Sequence, residues 1–178
     1  MMRKRLVKKK IWKNIRNRLE KHINLVVNYD KEVMHMKIST KGRYAIRLMI
    51  DLAEHNNGEF ITLMDIAQRQ EISEKYLESI VSVLSKNNLL ISLRGKGGGY
   101  KLAKDPELYT VGSILRLTEG SLAPVSCLEG ETNNCDRAGQ CQTLEMWEGL
   151  NKLINDYFDG ITIADLIHKN DYMNNYVI

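Results

Sequence analysis

Three cysteines, Cys127, Cys135 and Cys141, fall within 15 residues, with seven and then five residues between neighbours. Thiolates are soft metal ligands and also nucleophiles. Zinc sites draw on C-x₂₋₄-C pairs, and this chain has none. The wider spacing suits a loop that wraps a larger body, such as an iron–sulfur cluster, whose irons prefer thiolate ligands. Gly130, Asn133, Asn134 and Gly139 supply the turns that wrapping needs. Three thiolates leave such a cluster one ligand short. An incomplete or non-cysteine fourth ligand makes a cluster labile, which suits a sensor better than an electron carrier. Three other readings stay open: ordinary thiols in a loop, a structural zinc in an interaction module, or a thiol-based redox enzyme. The enzyme would need a base beside a reactive thiol, and neither His55 nor His168 lies near the cysteines in sequence.

A second chemical signal is Arg94-Gly95-Lys96-Gly97-Gly98-Gly99. It is not a nucleotide-binding P-loop, because the G-x-x-x-x-G-K-[ST] pattern is absent and no helix follows at once. It separates two strand-like runs, Leu90 to Leu93 and Tyr100 to Leu102, and so reads as a β-hairpin with a basic tip. Glycines let such a tip approach a phosphate backbone, and a narrow minor groove attracts Arg94 and Lys96.

The elements that must position these residues are helical. Ala45, Leu48, Met49 and Leu52 recur at helical spacing, and Asn56-Asn57-Gly58 ends that helix. Thr62 predicts an N-cap, with Ile61 and Ile66 at hydrophobic-staple positions, for a short helix ending near Gln70. Ser73 predicts the next cap, with Ile72 and Leu77 as staple and Leu77, Ile80, Val81 and Leu84 as the buried stripe. The opposite face shows Glu74, Lys75, Glu78, Ser79 and Ser82. Two short helices joined by Glu71-Ile72-Ser73 match a helix-turn-helix, and the hairpin that follows makes it winged. Thr110 predicts the cap of a fourth helix that stops at Gly120. The cysteine loop follows, and then an amphipathic helix from Thr143 to Phe158. Trp147, Leu150, Ile154 and Tyr157 form its stripe, which could pack on its own domain or on a second copy. Thr162 predicts the cap of a last short helix, before a polar tail.

Composition agrees with one soluble core. The chain has 178 residues, of which 43% are hydrophobic and 27% charged. The longest uncharged stretch is nine residues, Gly120 to Leu128, too short for the roughly 20 apolar residues of a membrane span. The basic start lacks an apolar stretch of the secretory type, so a cytoplasmic location is expected. Residues 1–35 hold 11 Lys+Arg against 3 Asp+Glu, whereas residues 36–178 hold 15 against 19. The extension reads as a basic tail or a non-specific nucleic-acid arm. Alternatively it is a mis-called leader: Lys31-Glu32-Val33 can be encoded as a ribosome-binding string just upstream of the Met36 codon. Mass spectrometry of the protein made from its native gene decides between these. The expected organisation is a basic extension at 1–35, a winged helix-turn-helix at 36–120, a cluster-binding loop at 121–142, and a dimerisation helix with tail at 143–178.

Lys37-Ile38-Ser39-Thr40-Lys41-Gly42-Arg43-Tyr44-Ala45, Ile72-Ser73 with Tyr76-Leu77-Glu78, and Arg94 to Tyr100 together resemble the Rrf family of bacterial winged-helix regulators. The resemblance spans about residues 36–167 and lies nearest to the iron–sulfur-cluster regulators of that family. Other branches sense nitric oxide or cysteine supply. It implies a mainly α fold with a small β wing and a homodimer crossed through the long helix. It implies a 2Fe–2S cluster on Cys127, Cys135 and Cys141, binding to a double-stranded DNA operator, and repression of cluster-assembly or related genes rather than catalysis. The DNA-contacting positions it implies are Lys75, Tyr76, Glu78, Arg94, Lys96, Gly97 and Gly98. Two departures stand out. The first cysteine gap is longer than in the cluster regulators, and their ligand histidine, three residues after the last cysteine, is Leu144 here. Nitric-oxide sensors use an acidic ligand near the N-terminus, where this chain has Arg43. Glu129, Glu131, Asp136, Glu145 or a residue of the other subunit remain as fourth-ligand candidates.

Overall fold

The computed structural model describes residues 37–167, apart from 131 and 134. The expectations for residues 1–35, for Glu131 and Asn134, and for the chain from His168 onward lie outside the described residues. The elements run α1 (Thr40–Glu54), α2 (Leu63–Gln70), α3 (Glu74–Lys86), β1 (Leu90–Leu93), β2 (Gly99–Leu102), α4 (Val111–Glu119) and α5 (Leu144–Asp159). A further helix occupies 163–167 within the described residues.

Side-chain caps set the helix starts. The hydroxyls of Ser39, Thr62, Ser73 and Thr110 each accept a hydrogen bond from the backbone N–H three residues on, satisfying one orphan donor of each first turn. Three of these four caps are the ones the sequence predicts. At the start of the last helix the Thr162 hydroxyl accepts from the Asp165 N–H in the same way, and the Asp165 carboxylate accepts from the Thr162 N–H in return. Helix α5 differs. Thr143 has a backbone near φ −104°, ψ 0° rather than extended, and its side chain makes no cap bond. Its hydroxyl lies 3.4 Å from Cys141 Sγ instead.

The predicted stripes form the core. Ala45, Leu48, Met49 and Leu52 of α1, Ile66 of α2, and Leu77, Ile80, Val81 and Leu84 of α3 are all buried together with Ile72 from the turn. Each large apolar side chain buried in this way contributes about 1.5–3 kcal/mol of transfer free energy. The wing is antiparallel, with Leu90 opposite Leu102 and Leu93 opposite Gly99. Ile61 extends it by one bridge, exchanging two backbone hydrogen bonds with Tyr100. A smaller cluster of Val111, Leu115 and Leu122 receives Ile154 and Phe158 from α5.

One core group is ionic. Asp51 on α1 is fully buried. Its carboxylate accepts from Arg69 Nε at 3.0 Å, from the Arg69 terminal nitrogen at 2.6 Å and from Gln70 Nε2 at 2.9 Å. This bidentate pair locks α2 onto α1, and so fixes the first half of the helix-turn-helix. Burial alone would push the Asp51 carboxyl up, but the Arg69 and Gln70 hydrogen bonds and the Arg69 and His55 charges outweigh it. The net result is a carboxyl below the usual carboxylate range. A depressed folded-state pKa means stability that is present above the unfolded value of about 4 and lost as pH falls below it. Thermal midpoints followed from about pH 6 down to about pH 3, the range in which carboxylates titrate, should therefore fall for the parent. The gap between parent and Asp51→Asn should close over the same range. A gap that stays constant would refute the ionic role.

Candidate functional site

The α2–α3 turn owes its tightness to Glu71, which caps α2 in the left-handed region at φ 55°, while the Ile72 N–H returns to Ala67 O at 3.1 Å. Helix α3 then buries Leu77, Ile80, Val81 and Leu84 and so turns Glu74, Lys75, Glu78, Ser79 and Ser82 to solvent. Tyr76 sits between the two faces. Its ring meets Tyr44 edge-on at 5.8 Å, and the Arg47 guanidinium lies 5.4 Å from the Tyr44 ring centre. Tyr76 therefore braces α3 against α1 as well as reaching the surface.

The wing tip is built by backbone. Gly95 and Gly97 both have positive φ, 93° and 76°, which side-chain-bearing residues adopt only with strain. The Gly98 N–H closes the turn onto Gly95 O at 2.9 Å. Gly99 is required for another reason: a Cβ there would lie 2.2 Å from Ile61 O. Arg94 and Lys96 are exposed on this tip. An open cleft runs between α3 and the wing, lined by Glu78, Ser82, Lys86, Arg94 and Tyr100. The structure thus brings the exposed face of α3 and the wing arginine, which sequence reasoning singled out separately, to one groove.

The cysteine loop is irregular, with short 3₁₀ turns at Ser126–Leu128 and Ala138–Gln140. All three thiols are free; Cys127 is half-buried and Cys135 and Cys141 are exposed. The Cys135 N–H donates to Asn133 Oδ1 at 2.9 Å, while Asn133 Nδ2 is buried with no acceptor among the described residues. Among the described residues, no three His, Cys, Asp or Glu side chains gather into a group able to hold a metal. The donor chemistry nevertheless fits a thiolate-bound cluster. A hydrogen bond from the Thr143 hydroxyl, aided by the Thr143 and Leu144 backbone, holds the Cys141 thiol below its ordinary pKa. The spare Asn133 donor in the same loop is of the kind that sulfur acceptors take up. Residue 144 would share a helical face with Cys141 only if the helix already began at Gln142. Helix α5 begins at Leu144, and Cys141, at φ −82° and ψ 105°, is extended. What links them is a turn, Leu144 N–H to Cys141 O at 3.3 Å.

Helix α5 buries no residue completely. Ile154 and Phe158 pack onto α4, and Arg116 of α4 donates to Asn155 Oδ1 at 2.8 Å and pairs with Asp159. The rest of the apolar stripe faces outward: Leu153 is 67% and Tyr157 66% exposed, with Met146 and Leu150 also exposed. Neither the Asp51–Arg69 clamp nor the Arg116–Asp159 pair was visible beforehand. Each joins residues far apart in sequence whose types, taken singly, read as solvated charges.

A family model for Rrf2, described as an iron-dependent transcriptional regulator, matches residues 38–169. The chain belongs to the Rrf2 family. Its fold is the winged helix of Rrf2 regulators, mostly helical with one small two-stranded sheet. Among curated relatives, the HTH-type transcriptional regulator IscR of Yersinia pseudotuberculosis is 37% identical over 138 residues, covering 78% of this chain and 83% of that one. Two solved structures are similar. T. potens IscR has 36% identity and a TM-score of 0.58, covering 80% of this chain and 92% of that chain. CymR, the global cysteine regulator of B. subtilis, has 34% identity and a TM-score of 0.57, covering 75% and 97%. As an Rrf2 member related to IscR, this protein is a DNA-binding transcriptional regulator. No helix among the described residues is long and apolar enough to cross a membrane.

Proposed function

We propose that this Rrf2 protein is a cytoplasmic homodimeric repressor that senses iron–sulfur-cluster status and controls cluster-assembly or related genes. The observation that carries the reading is the groove that Glu78 of α3 and Arg94 of the wing both line. In it, α3 lies in a major groove with Lys75 and Glu78 toward base edges, Tyr76 at its margin and the wing tip at the adjacent minor groove. Gly97 and Gly98 let the tip backbone come close to phosphate, and Lys96 supplies charge there. Pairing of two copies through the outward stripe of α5 would present two such units to a two-fold operator. Cys127, Cys135 and Cys141 would hold a 2Fe–2S cluster, which supplies an oxidant-labile centre whose loss reports cluster supply. The nearby acidic candidates for the fourth position are those already named. The body at 36–120, the loop at 121–142 and the segment from 143 onward are proposed to divide DNA binding, sensing and pairing among themselves.

A second reading within the same class has support in the exposure of the free Cys135 and Cys141 thiols and in the Thr143 hydroxyl 3.4 Å from Cys141 Sγ: thiol chemistry, rather than a cluster, as the input from oxidants or nitric oxide. Colour separates the two, since anaerobically purified protein is brown with a cluster and colourless without one. The DNA reading is tested on the duplex that the parent selects from a random-sequence pool. Arg94→Ala should cost about 1–3 kcal/mol on that duplex while leaving affinity for unrelated duplex nearly unchanged. Lys96→Ala should weaken binding to both duplexes alike and flatten the salt dependence. Equal affinity of Arg94→Ala and parent for the selected duplex would remove the wing from the interface.

A further inference from the structure

Tyr109, between the wing and α4, is only 3% exposed. Its ring belongs to the main core cluster, a place where phenylalanine would pack as well. A buried phenol must find hydrogen-bond partners, and this one has two. The hydroxyl accepts from the Lys104 N–H at 2.6 Å and donates to Leu89 O at 3.0 Å. Leu89 immediately precedes β1, and Lys104 stands two residues beyond the end of β2. One oxygen therefore holds both strands at the root of the wing. Leu89 O also receives the Ala103 N–H at 3.1 Å, so the root is doubly tied.

The backbone of the same residue faces the other way. Ile163 N–H donates to Tyr109 O at 2.9 Å, Val111 N–H donates to Ile161 O at 2.8 Å, and Thr110 and Thr162 form the bridge between them. Residues 161–163 directly follow α5 and its Gly160 cap. The wing is thus joined, through one residue, to the segment that ends the outward-facing helix, by a route that does not pass through α3.

We propose that Tyr109 is a positioning residue for operator recognition: its hydroxyl sets the wing relative to the pairing helix, and thereby the half-site spacing that Arg94 can serve. The inference rests on the reading above, in which the wing meets DNA and α5 pairs two copies. Spacing between half-sites is a geometric property of a dimer, so a change in wing placement should be read as a change in spacing preference.

The test uses Tyr109→Phe in the full chain. Its probes are the duplex that the parent selects, and that duplex with one base pair inserted between half-sites. Measured well below the unfolding temperature, Tyr109→Phe should bind the selected duplex about fivefold to tenfold more weakly, because a wing released at its root gives up part of the base-edge contact made by Arg94. Its affinity for unrelated duplex should not change, and its discrimination against the inserted base pair should shrink. In an Arg94→Ala background the same substitution should have no further effect, because the contact it positions is gone. Hydrogen exchange at the Lys104 amide should quicken in Tyr109→Phe while amides in the middle of α3 keep their protection. A full additive loss in the Arg94→Ala background, or unchanged spacing discrimination, would overturn the proposal. An Arg94→Ala protein with parental affinity would instead sink the wing reading on which the proposal stands.

Discussion

On the proposed cluster, the parent purified without air should be brown, and alanine in place of any one of Cys127, Cys135 or Cys141 should give a colourless protein. The chain has only three cysteines, all in one loop. Two thiolates cannot fill four ligand positions on two irons even when a carboxylate is added. The loss should be of the whole visible absorbance, not a fraction, and it should leave the thermal midpoint of the winged-helix core nearly unmoved. That core is built from α1, α2, α3, the wing, Tyr109, Ile114 of α4 and Ile163 of the last helix, without the loop. A brown single-cysteine variant would mean that the proposed ligand set is wrong. Leu144→His should act in the opposite sense. The Leu144 N–H already turns back onto Cys141 O. An imidazole at that turn is a better iron ligand than water or an exposed carboxylate. Absorbance should then decay more slowly in air than in the parent. Identical decay would direct attention to Glu129, Asp136 and Glu145.

If two copies pair through α5 as proposed, Leu153→Asp should leave folded monomers. In a single protomer Leu153 is mostly solvent-exposed, so a carboxylate there remains hydrated and costs little. Between two paired α5 helices the same carboxylate would be stripped of water, at a cost of several kcal/mol per copy. Light scattering should report half the parental mass, with circular dichroism and the unfolding midpoint close to those of a protomer that is intact. Ile154→Asp provides the contrast. Ile154 packs on Val111, Leu115 and Leu122, so that variant should lose stability within the protomer itself. Trp147→Asp, half-buried on the same helix, should combine both effects. A Leu153→Asp protein that keeps the parental mass would show that the outward stripe is not the pairing surface.

Most of the local structure was legible because it is written at short range. The hydroxyl caps at Thr62, Ser73 and Thr110 act over three residues, and the stripes of α1 and α3 repeat every three or four. The glycines of the wing tip announce their backbone without reference to anything distant. Such signals depend on one turn of chain, so the residue types alone carry them. Helix α5 starts at Leu144, one residue after the expected Thr143, because apolar periodicity does not mark a helix end to the residue, and nothing in the sequence reports the backbone of Thr143. Only its actual backbone angles show that its hydroxyl turns to Cys141.

By itself, then, the sequence determined a helix-turn-helix with a basic glycine wing, a three-thiol loop and an amphipathic helix after it. Tertiary structure alone decided that Asp51 is a buried anion held by Arg69 rather than one more surface charge. It decided that α3 and Arg94 share a groove, and that the Tyr109 hydroxyl ties the wing root. It also decided which part of the α5 stripe is spent on α4 and which part faces outward. The physical reason is the same in each case. Burial and pairing are properties of what arrives from elsewhere in the chain, and a carboxylate, a phenol or a leucine has the same local signature whether or not its partner comes.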